Sequence, residues 1–174
     1  MLFRSEVAMV QSNTRVYEPG TGPDLWRRSL YTYWKRACPP PNLLTLDAPT
    51  REFCTIRRTT TNTPLQALVL WNDEQFLAAA RGLAARVYPA AANDRERFAL
   101  MHRLCTSRAP SAQALANADA AIASLHARYA SAPEDAKALL GQTPLPQGAD
   151  ASGLAPLVLM ASVCLNLDST LCIE

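Results

Sequence analysis

Glycine is scarce, six residues in 174, and none stands in a phosphate-cradling loop spacing, so nucleotide chemistry of that kind has no sequence support. Histidine is scarcer still. His102 and His126 are the whole complement, each within a helical pattern without a cysteine or carboxylate at ligand spacing, so neither is expected to hold a metal or to serve in a triad. The five cysteines, Cys38, Cys54, Cys105, Cys164 and Cys172, form no C-x-x-C and no C-x-x-C-H, which leaves structural zinc and haem attachment unsupported within this chain. An odd count leaves at least one thiol without an internal partner, and buried free thiols are the expectation for Cys105 and Cys164. No G-x-S-x-G elbow is present. Charged residues make up only 18%, below the usual quarter.

Long apolar runs are missing too. The nearest approach, "GLAPLVLMASVCLNL", is shorter than the roughly 18 residues a bilayer span requires and contains Pro156, so it is expected as a buried core helix. The opening "MLFRSEVAMV" is too short and too interrupted by charge for a secretory signal. A net charge of +2 and a pI near 8.3 fall short of the basicity that nucleic-acid binding requires. No internal repeat is evident.

The chain does have the apolar content, 49%, and the length for one globular domain. Its charge is uneven. Up to Pro64 there are nine basic and five acidic residues, beyond it eight and ten, an asymmetry that reads first as an internal or interdomain match. Thirteen prolines punctuate the chain. "EPGTGP" closes an irregular arm over residues 1–23 and "CPPPN" ends the next segment. Between them, "DLWRRSLYTYWKRA" places Trp26, Leu30, Tyr33, Trp34 and Ala37 on one helical stripe behind an Asp24 cap, with Arg27, Arg28, Lys35 and Arg36 on its flanks. Residues 43–61 are irregular, and "EFCTIRR" is the one stretch with strand character, through Phe53, Thr55 and Ile56.

In "RRTTTNTPLQAL" two arginines and a polar run meet an apolar helix. Thr63, Pro64 and Gln66 fit a capping box with proline at the first helical position. Asn72 and Gln75 are expected to cap the following helix. Its stripe is Phe76, Ala80, Leu83 and Val87. Then come a helix with Phe98, Met101, Leu104 and Cys105 inward, a Ser111-capped helix with Leu115, Ile122, Leu125 and Tyr129 inward, and a short helix from Pro133 closed by a left-handed Gly141. The final apolar helix runs out at "NLDST", where Asp168 is expected to end it or to pair with an arginine. The expected fold is mainly α: a helical bundle or layered helical array over residues 24–174, with an irregular N-terminal arm and at most one short extended segment.

Candidate ligand or docking residues are Arg57, Arg58, Asn62, Trp34, Arg27 and Arg28. Arg57 and Arg58 beside a helix N-terminus could clamp an anion. The preferred reading pairs them with Asp47, Glu52 or Asp73, because arginine suits a partly buried bidentate pair. The aromatic-basic segment could stack on sugars or single-stranded bases, but its helical spacing favours packing.

At "RRSLYTYWKR", "PPPNLLTLDAPTREFCTIRR", "TNTPLQALVLWND" and "LNLD" the chain resembles the C-terminal PSD-type module of planctomycete cytochrome c-associated proteins, domain of unknown function 1553. The resemblance runs from about Asn13 to the end and is most specific between Arg27 and Asp73. It implies an extracytoplasmic protein in which a haem-binding cytochrome-like region and a further uncharacterised domain precede this module. Haem would belong to those upstream domains, and no cofactor is expected in this chain. Two departures stand out. Thr60 occupies a place where the family usually has a further arginine, and the family module extends upstream of "SNTR", so the chain reads as the C-terminal part of a larger protein with apolar surface left over for the missing part. The expected function is a non-enzymatic interaction or scaffold module that packs against the upstream domains. The alternative is binding or processing of an extracellular, anionic polysaccharide at Arg57, Arg58, Asn62 and Trp34.

Overall fold

The computed structural model describes residues 22, 26–32, 34, 39–57 and 59–171. Among them are eight α-helices, a 3-10 turn at Ser29–Tyr31 and no strand, a mainly α protein. Most of the N-terminal arm lies outside the described residues, as do Asp24, Tyr33, Lys35, Arg36, Ala37, Cys38, Arg58 and Cys172. The chain divides into two compact units between Val69 and Leu70.

The first unit holds α1 (Pro41–Thr45) and the start of α2 (Pro64–Asn72). The aromatic helix expected from Trp26 onward does not form over residues 26–32. Only 3-10 conformation is helical there, at Trp26 and at the turn Ser29–Tyr31, and Trp26 and Leu30 are 60% and 72% exposed. Helical spacing alone did not suffice. Trp, Ser, Tyr and Thr are all middling helix formers, and an amphipathic helix depends on a surface that buries its apolar stripe. Residues 51–57 likewise stay irregular and exposed.

The second unit is built from α3 (Glu74–Val87), α4 (Asp94–Thr106), α5 (Ala112–Ser131), α6 (Pro133–Leu140), α7 (Ala151–Leu165) and α8 (Asp168–Leu171). Each long helix starts on a polar side chain that accepts an otherwise orphaned amide. Asp73 Oδ1 takes Gln75 N at 2.9 Å, Asn93 Oδ1 takes Glu96 N at 2.9 Å, Ser111 Oγ takes Ala114 N at 3.1 Å and Asp150 Oδ1 takes Gly153 N at 3.1 Å. Such caps contribute about 1 kcal/mol apiece. The cap of α3 corrects the sequence reading, which gave that role to Asn72. Asn72 is instead the last residue of α2, and Asp73 is the N-cap. A carboxylate there meets the positive end of the helix dipole, while α2 gains one more helical residue.

The centre of this unit is α7. It carries no charged side chain and buries Leu154, Ala155, Pro156, Leu157, Val158, Met160, Ala161 and Cys164, because α3, α4, α5 and α6 all pack against it. A helix apolar on every side is stable only when enclosed in this way. From α3, Ala80 and Ala84 are fully buried, and Val87, Phe98, Met101, Ala118, Ile122 and Leu140 complete the core. Pro156 lacks the amide that would bond the Ser152 carbonyl, a loss the surrounding packing offsets. Two details depart from expectation. Leu104 is 43% exposed, since Phe98, Met101 and Cys105 already define the inner face of α4. Gly141 has the positive φ expected of it, 56°, but a ψ of −127°, outside the left-handed helical well. Its amide still caps Lys137 O at 2.9 Å, and Arg81 Nε donates to the neighbouring Leu139 O at 2.6 Å.

Candidate functional site

The polar run before α2 organises around one carboxylate. Helix α1 ends with Asp47 N donating to Leu44 O and Ala48 N to Leu43 O, at 3.1 and 2.9 Å, the paired bonds of a Schellman ending with Asp47 in the position usually taken by glycine. Asp47 accordingly has φ 59°, which costs a residue with a Cβ about 1 kcal/mol. Glycine would relieve that strain but would remove the side chain on which the whole loop hangs. Asp47 Oδ2 accepts from Thr61 N at 2.7 Å and Thr61 Oγ1 at 2.8 Å, and from Gln66 Nε2 at 3.1 Å.

Gln66 is the hub. Its Oε1 accepts from Thr63 N at 2.9 Å while Thr63 Oγ1 accepts from Gln66 N at 3.3 Å, the reciprocal bonds of a capping box. Its Nε2 donates to Thr61 Oγ1 at 3.0 Å as well as to Asp47. A carboxylate can only accept and a backbone amide only donate, so these partners fix the orientation of the side-chain amide. Gln66 is 2% exposed, and a buried amide satisfied on both sides stabilises where a half-satisfied one would cost. With its lone pairs occupied by donors, the Asp47 carboxylate is a fastening between α1 and α2 and is ill placed to act as a base.

The other residues singled out from the sequence are dispersed. Arg27, Arg28, Arg57 and Asn62 are exposed; Arg58 lies outside the described residues. The preferred pairing of Arg57 with Asp47, Glu52 or Asp73 is not made, since no ion pair joins it to a described carboxylate. Trp34 is half-buried, the Arg51 guanidinium lies 4.8 Å from its ring centroid, and its Nε1 is buried without a hydrogen-bond partner. Arg51, like Asp47, holds a left-handed backbone, at φ 63°.

The second unit contains a cluster that sequence spacing did not reveal. Asp94, first residue of α4, bonds His126 Nε2 of α5 at 2.7 Å through Oδ2 and Arg97 Nη1 at 2.6 Å through Oδ1. Arg97 continues the network, with Nε donating to Tyr88 O and Ala91 O at 3.1 and 3.2 Å and its guanidinium 4.1 Å from the Tyr88 ring centroid. Burial pushes the Asp94 carboxyl up, but the bonds and charges of His126 and Arg97 outweigh it and hold the group below its ordinary value. Asp94 and His126 stand 32 positions apart, so no local motif signals them. Only the pairing of α4 with α5 brings them together.

Among the described residues no group of three or more His, Cys, Asp or Glu side chains is arranged to hold a metal. Cys54, Cys105 and Cys164 are free thiols. Burial pushes Cys105 up, and burial with the neighbouring Cys105 pushes Cys164 up to about 12, so neither is a ready nucleophile. No described helix is long and apolar enough to cross a membrane. No curated protein and no solved structure matches the chain. Over residues 4–122 the sequence matches the PSD1 family, described as protein of unknown function (DUF1553), and that span, more than half the chain and inclusive of the Asp47–Gln66 fastening, makes it a member of the family.

Proposed function

We propose that this chain is a non-enzymatic helical interaction module whose residues before Leu70 dock onto other protein domains. One observation carries the reading. Among the described residues up to Val69 the only fully buried one is polar, Gln66, while Leu30, Tyr31, Phe53 and Ile56 are 72%, 68%, 71% and 105% exposed. A segment whose described apolar side chains are at most half-buried gains little to offset its conformational entropy, and aromatic residues with arginines are what protein interfaces use. The partner in this proposal is the set of domains that precede the module in the family it resembles, in an extracytoplasmic setting, with any haem held by those domains.

The test is charge reversal. Arg27→Glu with Arg28→Glu should weaken association with the preceding domains by about tenfold or more in a calorimetric titration, and unchanged affinity would reject the docking face. The polysaccharide alternative rests on Arg57, Arg58, Asn62 and Trp34, and the Arg51 guanidinium over Trp34 occupies a face that a sugar ring would need. A thermal-shift series with anionic polysaccharides separates the two readings, because a bound ligand raises the melting temperature as its concentration exceeds Kd.

A further inference from the structure

We infer that the surface of the first unit is built for an acidic, amphipathic polypeptide segment, an inference that rests on the docking reading above and names the chemistry of its partner. The charge is one-sided. Arg28, Arg51 and Arg57 are all exposed, whereas of the two described carboxylates in this unit Asp47 is bound up with Thr61 and Gln66 and only Glu52 is exposed. The complement of such a surface is negative.

The apolar side chains decide which kind of anion fits. Leu65 and Leu68 of α2 are 57% and 55% exposed and three residues apart, on one helix face, and Ile56 is fully exposed. Trp26, Tyr31 and Phe53 are exposed as well and offer flat faces to a sugar or a base, but the aliphatic Leu65, Leu68 and Ile56 give polysaccharide and nucleic acid nothing to stack on. A polypeptide with its own apolar face gives side chains of this kind an apolar partner. The cations point the same way. Of the nine basic residues before Pro64 eight are arginine and one, Lys35, is lysine, and arginine is the side chain whose planar fork matches a carboxylate with two hydrogen bonds and which protein interfaces favour over lysine. Attraction to an anionic lipid surface draws on lysine and arginine alike as point charges and leaves that selectivity without a role.

The experiment uses the whole chain and three synthetic amphipathic helical peptides of about 20 residues, with one shared apolar face and a polar face that is acidic, neutral or basic. The acidic peptide should bind at least about tenfold tighter than the other two and lose affinity as salt rises from roughly 50 to 500 mM. Arg28→Glu with Arg57→Glu should abolish that preference, and Leu65→Gln with Leu68→Gln should weaken the acidic peptide while leaving the circular dichroism of the chain intact. Equal affinity for all three peptides overturns the inference. So does binding of phosphatidylglycerol vesicles or a sulfated polysaccharide in place of the acidic peptide. Association with the preceding domains is measured in parallel: if it persists while the acidic peptide fails, the partner chemistry is wrong and the docking role stands, and if both fail the docking role falls as well.

Discussion

Gln66 shows how much a single side chain can settle. It closes the capping box with Thr63 and carries the bond to Asp47, so the start of α2 and the end of α1 depend on one amide. Thr63→Ala should cost about 1 kcal/mol. Gln66→Ala should cost more, about 1 to 3 kcal/mol, because it also leaves the Thr63 amide and the Asp47 carboxylate short of a partner. Both are read by hydrogen exchange at the amides of Ala67 to Leu70, which should exchange faster in the second variant than in the first. Asp94 makes the matching point in the other unit. Its carboxyl is held below the ordinary value in the fold, so its contribution is present above the unfolded value of about 3.9 and disappears as pH falls through the lower folded one. An Asp94→Asn variant should therefore be less stable than the parent at neutral pH, and the two should converge in acid denaturation series as pH drops below about 4.

At the scale of the element, what the sequence disclosed and what it hid have the same physical source. From Glu74 onward apolar spacing, caps and breakers agree with one another. Ser111 starts α5, Pro133 starts α6 and Gly141 ends it, and the inward residues Ala80, Val87, Phe98, Met101, Ile122 and Tyr129 are buried. Over residues 26–32 the aromatic stretch had the spacing, yet Trp26, Leu30 and Tyr31 stay exposed and only 3-10 turns form. The shift of a cap from Asn72 to Asp73 is a choice between two adjacent residues of equal capping ability, which spacing cannot resolve. The candidate site divides the same way: the Thr63–Gln66 box was legible because its residues are three apart, whereas the bonds from Asp47 to Thr61 and Gln66 span 14 and 19 positions and needed the fold. The central position of α7 gives a sharp expectation here. Leu157→Ala removes a fully buried side chain from a helix against which four others pack and should lower unfolding stability by about 2 to 5 kcal/mol in urea titrations. Asp150→Ala, which loses only the cap, should lower it by about 1 kcal/mol.

For the molecule as a whole, the division between Val69 and Leu70 separates a part with an apolar core from one whose only fully buried described residue is Gln66. Opening should therefore be far easier in the first part. Limited proteolysis should cut residues 39–63 before any site within α3 to α7, and amide protection should be greatest in α7; equal cleavage across both parts would refute this uneven stability. The enclosed position of α7 also bears on how the chain is made. Ribosomal synthesis delivers α3, α4, α5 and α6 first, and each must wait with its inner face uncovered until residues 151–165 emerge. During that interval the nascent chain presents the sticky surface that chaperones recognise, so the last long helix acts as the keystone that ends its vulnerability.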